Sequence, residues 1–125
     1  MTELNHTIVA CRNQEQSASF LADILGRPAP KRFGPFHVVD LDNHVSLDYY
    51  ESAGTISSQH YAFLITEEEF DAVLTRVRAR NLAYWADPGR KVPSRINNND
   101  GGRGFYFEDP NGHLMEVITR PYGGG

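Results

Sequence analysis

The chain has 125 residues, enough for one domain with a real core and too few for two independent domains of ordinary size. Sixteen acidic against twelve basic residues give a formal charge of -4, without the basic face that nucleic-acid binding requires. Cys11 is the single cysteine, so an internal disulfide is excluded, and MTELNHTIV lacks the basic start and apolar core of a secretion signal. No apolar run approaches the roughly 20 residues of a membrane span. We therefore expect a cytoplasmic protein without nucleic-acid or membrane partners.

The chain opens with a predicted strand followed by a predicted helix. LNHTIVA, residues 4–10, is short and β-branched, as strands are. Asn13, followed three residues later by Gln16, has the spacing of a helix cap. Gly26 comes after the last apolar residues of this segment, so we expect the helix to end there.

The rest of the first half predicts three short strands. The first lies near residues 31–33. FHVVDL and HVSLDYY then alternate apolar and polar residues, with Asp42 and Asn43 between them at a predicted tight turn. These two arms predict a hairpin.

The second half repeats this order of elements. HYAFLIT, residues 60–66, predicts a strand, and Thr66 with Glu69 has the spacing of a capping box. The helix that follows has an apolar stripe at i, i+3, i+4 and i+7, formed by Phe70, Val73, Leu74 and Val77. A short strand at residues 83–86 and the arms FYFE and HLMEVIT complete the chain.

Each half thus reads as a strand, a helix and three strands, which indicates an α+β fold of two paired βαβββ modules. The small and polar residues of SAGTISSQ suit a linker between the modules. We predict a first module at residues 1–52, a linker at 53–59, a second module at 60–122 and a glycine tail at 123–125.

Glu116 stands in an apolar strand. Leu114 and Ile118 share its face, while Met115 and Val117 share the other, because successive side chains of a strand point to opposite faces. Both faces are apolar, so we expect a strand covered on both sides. A carboxylate there needs a donor, a cation or a metal as its partner.

Four side chains occupy matching places in the two modules. His6 and His60 lie in the first strands, and Asp48 and Glu116 lie in the last strands. Two imidazoles and two carboxylates form a mixed nitrogen and oxygen set that suits Zn²⁺, Ni²⁺, Mn²⁺, Fe²⁺ or Co²⁺. The alternative is that all four are ordinary hydrogen-bonded strand residues.

LNHTIVA, HYAFLIT and FYFEDPNGHLMEV resemble segments of the vicinal oxygen chelate superfamily, which includes glyoxalase I, extradiol dioxygenases, fosfomycin-resistance enzymes and bleomycin-binding proteins. The resemblance covers nearly the whole chain. It implies that the mixed sheets of two βαβββ modules form an open barrel around one divalent metal ion. It also implies that His6, His60 and Glu116 are ligands, with Asp48 at the carboxylate position of the first module.

The sequence departs from the patterns of this superfamily at two places. Glyoxalase I-like enzymes usually carry a glutamate where Asp48 stands, and a register slip of one residue would turn Leu47 inward instead. FYFEDPNGHLME resembles the extradiol signature, on which Tyr106 would match the acid-base tyrosine. Residues 97–99 are asparagines where that signature has its upstream histidine. An extradiol-type site needs two histidines and one carboxylate, so Asp48 would then be dispensable. The alternative role for Tyr106 is a core or cavity-wall residue.

The resemblance implies a metal-dependent enzyme that acts on a small oxygen-bearing substrate. One form is a glyoxalase-like lyase or isomerase, in which Glu116 is also the base. Another is an extradiol-type dioxygenase, in which the ion holds a catecholate and oxygen. The alternative is a non-catalytic protein that binds a small molecule or antibiotic, as bleomycin-resistance proteins do. The resemblance also implies a homodimer.

Overall fold

The computed structural model describes residues 1–124 and divides the chain into two compact units, Met1–Ser57 and Ser58–Gly125. The first unit contains β1 (His6–Cys11), α1 (Gln14–Leu25), β2 (Lys31–Phe33), β3 (Phe36–Asp40) and β4 (Ser46–Glu51). The second contains β5 (His60–Leu64), α2 (Glu67–Ala79), β6 (Tyr84–Trp85), β7 (Gly104–Glu108) and β8 (Leu114–Ile118). Short 3-10 helices occur at Asn99–Gly101 and Tyr122–Gly124.

Each unit contains one open four-stranded sheet, with strand order β1-β4-β3-β2 in the first and β5-β8-β7-β6 in the second. The first strand of each unit runs parallel to the last, and the remaining pairs are antiparallel. In each unit the helix provides the long crossover between the two parallel strands that it connects. Short turns join β2 to β3, β3 to β4 and β7 to β8, whereas the long segment 86–103 joins β6 to β7. This is the predicted α+β arrangement of two βαβββ modules.

The helix caps follow the predicted residues. The Asn13 side chain accepts a hydrogen bond from the backbone N–H of Gln16 at 2.9 Å, and Gly26 ends α1 in the left-handed conformation at φ 70°. At the start of α2, the Thr66 hydroxyl accepts from the Glu69 N–H at 3.1 Å, and the Glu69 carboxylate accepts from the Thr66 N–H at 2.9 Å. This pair is the predicted capping box.

The helix of the second unit covers one face of its sheet. Its buried stripe consists of Phe70, Val73, Leu74 and Val77, as predicted. The Phe70 ring meets the Phe105 ring edge to face, with centroids 5.4 Å apart, and Met115 and Val117 of β8 are also fully buried. Alternation along β8 therefore leaves Glu116 on the sheet face opposite α2.

Most strands differ from the predicted bounds by a residue or two at one or both ends. The first strand begins at His6 rather than at Leu4, and β6 has two residues in place of the predicted four. Trp85 also forms an isolated bridge with Pro93, in which the N–H groups of Ala86 and Ser94 donate to the carbonyls of Val92 and Tyr84. Within residues 1–124, no helix is both long and apolar enough to cross a bilayer.

Candidate functional site

Strand register places three polar side chains on the open sheet face of the second unit. Glu116 pairs with Tyr106 on one side and with Ala62 on the other, and His60 lies two residues before Ala62 on the same face. The His60 and Tyr106 rings stack with their centroids 6.0 Å apart. Glu116 is only 1% exposed, so this group surrounds a buried carboxylate.

His60 and Glu116 are in direct contact. The imidazole Nε2 lies 3.1 Å from Glu116 Oε1, while Nδ1 lies 3.0 Å from the carbonyl oxygen of Leu114. A carbonyl can only accept, so Nδ1 carries the proton of that bond. In the neutral ring, Nε2 would then present a lone pair to a carboxylate, and two acceptors repel each other. The contact therefore requires either a proton between the two groups or a cation shared by both.

Tyr122 is a partner of Glu116 that the sequence analysis missed. Its phenol donates to the carboxylate, with its oxygen 2.8 Å from Oε1 and 2.9 Å from Oε2. The backbone N–H of Gly123 donates to Asp100 Oδ1 at 3.1 Å and fixes the end of the chain beside this group. A tyrosine six residues after Glu116 has no periodic relation to β8, so strand alternation gave no signal for this contact.

The two phenols beside Glu116 hold their protons firmly. Burial, and then hydrogen bonds with Tyr122 and Glu116, raise the pKa of Tyr106 well above its ordinary value. Burial, and then the hydrogen bond with Glu116, also raise the pKa of Tyr122. Both phenols are therefore neutral donors at physiological pH. Tyr106 can therefore give a hydrogen bond, but it does not readily give up its proton.

His6 and Asp48 line a cavity in the first unit, with a volume of about 450 Å³. Asp48 faces this cavity, whereas Leu47 is buried on the other face of β4, so the one-residue slip does not occur. The Ser46 hydroxyl donates to Asp48 Oδ1 at 2.8 Å, and His6 Nδ1 lies 2.7 Å from Asn5 Oδ1. Each of the two predicted ligands thus hydrogen-bonds to a near neighbour in sequence.

The remaining walls of this cavity combine apolar and positively charged side chains. They include Ile8, Phe33, Phe36, Val38, Lys31 and Arg32. Phe33 is 72% exposed and Ile8 is 55% exposed, which is unusual for large apolar side chains. The cavity therefore offers contact area for an apolar or aromatic molecule.

The two units carry their histidine and carboxylate in the same register. His6 is paired with Ser46, two residues before Asp48, and His60 is paired with Leu114, two residues before Glu116. The longer glutamate meets its histidine, whereas the shorter aspartate is held by the Ser46 hydroxyl.

The His60 and Glu116 pair fits the chemistry of a divalent metal. It offers an imidazole nitrogen whose other ring nitrogen is already hydrogen-bonded, together with a buried carboxylate. Within residues 1–124, no group of three or more histidine, cysteine, aspartate or glutamate side chains could hold an ion by itself. The described residues thus bring two of the four predicted ligands into contact.

The asparagines upstream of β7 have a structural role. Asn97 forms a bridge with Gly104, and its side-chain amide donates to the carbonyl of Ala86 at 2.8 Å. The backbone N–H of Asn99 donates to Asn97 Oδ1 at 3.2 Å. The Asn97 side chain is therefore occupied by the backbone of the loop that precedes β7.

The chain is similar to a known protein family, to two solved structures and to a transferase. The family model of the Glyoxalase/Bleomycin resistance protein/Dioxygenase superfamily matches residues 3–117. The solved structure of Oxidase ChaP-H1 is 57% identical in sequence, with a TM-score of 0.97 over 99% of this chain and 100% of that one. Oxidase ChaP-H2 is also 57% identical, with a TM-score of 0.96 over 99% and 98% of the two chains. Glutathione transferase FosA of Serratia marcescens is 28% identical over 94% of this chain and 80% of its own length.

Proposed function

Because the chain belongs to the glyoxalase, bleomycin resistance protein and dioxygenase superfamily, we propose that it is a divalent-metal-dependent oxidase acting on a small oxygen-bearing substrate. The observation that carries this proposal is the 57% identity to Oxidase ChaP-H1 over almost the entire length of both chains. The contact between the exposed His60 and the buried Glu116 supports it, since the two side chains supply donor atoms suited to a metal.

We assign His60 Nε2 and Glu116 as two ligands of the ion. His6 and Asp48 stay predicted ligands on the family resemblance. Two histidines and one carboxylate are the protein ligands typical of non-haem iron oxygenases, so His6 would complete such a set without Asp48. An oxidase requires a redox-active ion, which favours Fe²⁺, Mn²⁺ or Co²⁺ over Zn²⁺. When bound, the ion supplies charge stabilisation for a substrate oxygen and a path for electrons to dioxygen.

The surrounding side chains would orient the ligands and handle protons. Tyr122 and Tyr106 donate to Glu116 and hold its carboxylate beside His60. Tyr106 keeps its proton because its pKa is raised, so we assign it as a hydrogen-bond donor to a substrate oxygen. In the lyase or isomerase alternative, Glu116 would also accept the proton that moves.

Metal content tests the ligand assignment. Elemental analysis after loading with Fe²⁺ or Mn²⁺ should find about one ion per chain in the wild type, and Glu116→Gln and His60→Gln should each lose it. Glu68→Gln, on the exposed surface of α2, removes the same charge elsewhere and should retain the ion. Loss of the ion from His6→Gln or Asp48→Asn would make that residue a ligand as well. Equal metal in wild type and Glu116→Gln would reject Glu116 as a ligand.

Oxygen uptake tests the reaction class. The Fe²⁺-loaded protein, supplied with a panel of catechols and related phenols, should consume oxygen in proportion to the substrate oxidised. The same preparation of Glu116→Gln controls for oxidation by free iron. Metal-loaded wild type that consumes no more oxygen than this variant across the panel would contradict the oxidase assignment.

A thiol transferase is the second candidate, favoured by the similarity to Glutathione transferase FosA along 94% of this chain. Loss of glutathione in the presence of fosfomycin under nitrogen would support it, because thiol addition needs no oxygen. The non-catalytic alternative predicts tight binding of an aromatic drug by protein that holds no divalent ion. Oxygen uptake, glutathione consumption and metal content therefore separate the three functions.

A further inference from the structure

We propose that Tyr122 is a positioning residue that restricts Glu116 to binding the metal through one carboxylate oxygen. This inference rests on the proposed metal site. The phenol of Tyr122 donates to Glu116, with its oxygen 2.8 Å from Oε1 and 2.9 Å from Oε2. An atom almost equidistant from both oxygens lies in the plane that bisects the carboxylate. A cation chelated by both oxygens must lie in that same plane.

Because the phenol contacts both carboxylate oxygens at hydrogen-bond distance, it competes with two-oxygen chelation of a metal ion. The position left for a cation is on the side of Oε1 that faces His60 Nε2, 3.1 Å away. An ion there would take one oxygen from Glu116 and one nitrogen from His60. A donor that hydrogen-bonds to a metal ligand orients that ligand, so Tyr122 would influence the coordination number of the ion as well as its affinity.

The position of Tyr122 is itself fixed from two directions. The next residue, Gly123, donates its N–H to Asp100 Oδ1 at 3.1 Å. The phenol also hydrogen-bonds with Tyr106, which in turn bonds to Glu116. Three side chains thus share one hydrogen-bond network around a carboxylate that is 1% exposed.

Tyr122 makes this contact from the surface of the unit. The residue is 64% exposed, yet its hydroxyl reaches the buried Glu116. Core packing does not explain the direction of such a side chain, because most of the ring gains little from burial. Loss of the hydroxyl should also leave the fold intact, which makes the inference testable by substitution.

Tyr122→Phe is the test variant, and Tyr84→Phe is its matched control. Tyr84 belongs to the same unit, and its hydroxyl accepts a hydrogen bond from Arg78 Nε at 3.0 Å. The ring of Tyr84 packs against Phe105 on the sheet face covered by α2. Tyr84→Phe therefore removes a hydrogen-bonded hydroxyl from the face opposite Glu116. Equal urea midpoints would show that the two substitutions lower the free energy of unfolding by similar amounts.

The readout is the visible absorption spectrum and affinity of bound Co²⁺. In Tyr122→Phe, both oxygens of Glu116 become available, so we expect a higher coordination number and weaker visible bands than in wild type. We also expect about a tenfold loss of Co²⁺ affinity, as for other outer-shell partners. Tyr84→Phe should match the wild type in both measurements.

The outcomes separate this inference from the proposed oxidase. An unchanged spectrum and affinity in Tyr122→Phe, or equal changes in Tyr84→Phe, would overturn the role of Tyr122 even where oxygen uptake persists. The expected spectral change without any oxygen uptake would support Tyr122 and contradict the oxidase. Wild-type protein that binds no Co²⁺ would overturn both the metal site and this inference.

Discussion

Glu116 illustrates how a buried charge is accommodated at the scale of single residues. An isolated carboxylate in such surroundings would cost several kcal/mol, so it requires close donors or a cation. The structure supplies His60 at 3.1 Å and the Tyr122 phenol at 2.8 and 2.9 Å. Its counterpart Asp48 is 8% exposed and is held by the Ser46 hydroxyl. The carboxylate in each module therefore has its own local partners.

The raised pKa of Tyr106 predicts a loss of stability at alkaline pH. Its folded pKa lies above the value of about 10 in the unfolded chain, so the folded state keeps a proton that the unfolded state has lost. The stability that the protonated Tyr106 contributes to the folded state is complete below about pH 10 and is lost as the pH rises toward the folded pKa. In Tyr106→Phe, we expect the free energy of unfolding to fall less steeply between about pH 9 and 11.

Urea unfolding at several pH values measures this difference. Tyr50→Phe is the control, since Tyr50 is 47% exposed and lies in the first unit. This variant measures the effect of losing a phenol in the other unit. A Tyr106→Phe curve parallel to that of the wild type would contradict the role assigned to this phenol.

At the scale of elements, the capping box of α2 has a defined energetic role. Thr66→Ala removes the acceptor of the Glu69 N–H, so we expect a loss of about 1 kcal/mol in the free energy of unfolding. Thr75→Ala is the control, because Thr75 bonds back to the Asp71 carbonyl within the helix and alanine has the higher helix propensity. Urea midpoints measure both variants. A Thr75→Ala loss equal to that of Thr66→Ala would attribute the effect to helix propensity rather than to the cap.

Gly102 connects the loop before β7 with the chain that leads to Tyr122. An added Cβ would lie 2.6 Å from Thr119 Oγ1, which accepts a hydrogen bond from the Arg103 N–H at 2.8 Å. Gly102→Ala should therefore cost roughly 1–3 kcal/mol through overpacking. Gly54→Ala has room, with its nearest neighbour Ser52 Oγ at 3.8 Å, and should be nearly neutral. Denaturant unfolding compares the two, and equal stabilities would contradict the crowding at Gly102.

The sequence predicted the elements better than it predicted the contacts of the site. Local spacing was enough for the Thr66 and Glu69 capping box and for the end of α1 at Gly26. Period-two alternation was enough to place Glu116 on the strand face opposite that of its neighbours Met115 and Val117. It could not give the partner Tyr122, because that contact depends on how the chain turns after β8. Nor could it choose between Asp48 and Leu47, since that choice depends on strand register.

At the scale of the whole molecule, a bound ion should raise thermal stability. A ligand at about 100 times its dissociation constant adds about 2.7 kcal/mol to the folded state. For a chain of this size, the melting temperature would rise on the order of 10 °C. Calorimetry with and without Mn²⁺ measures this rise. Glu116→Gln should lose it and Glu68→Gln should keep it, whereas equal rises in all three proteins would place the ion elsewhere.

The homodimer expected from the family resemblance is also a whole-molecule prediction. Sedimentation of the metal-loaded and chelator-treated protein should give twice the 14.1 kDa mass of one chain. A single-chain mass in both conditions would contradict it.

The strand order of the second unit also bears on how an ion would leave. Among the described residues, β8, which carries Glu116, has a ladder partner on each side, whereas β5, which carries His60, has β8 as its one neighbour in the sheet. Local opening begins where fewer backbone bonds must break. If both residues bind an ion, His60 would therefore dissociate from it before Glu116 does. Exchange of one ion for another would then pass through a state in which Glu116 alone of the two holds the ion.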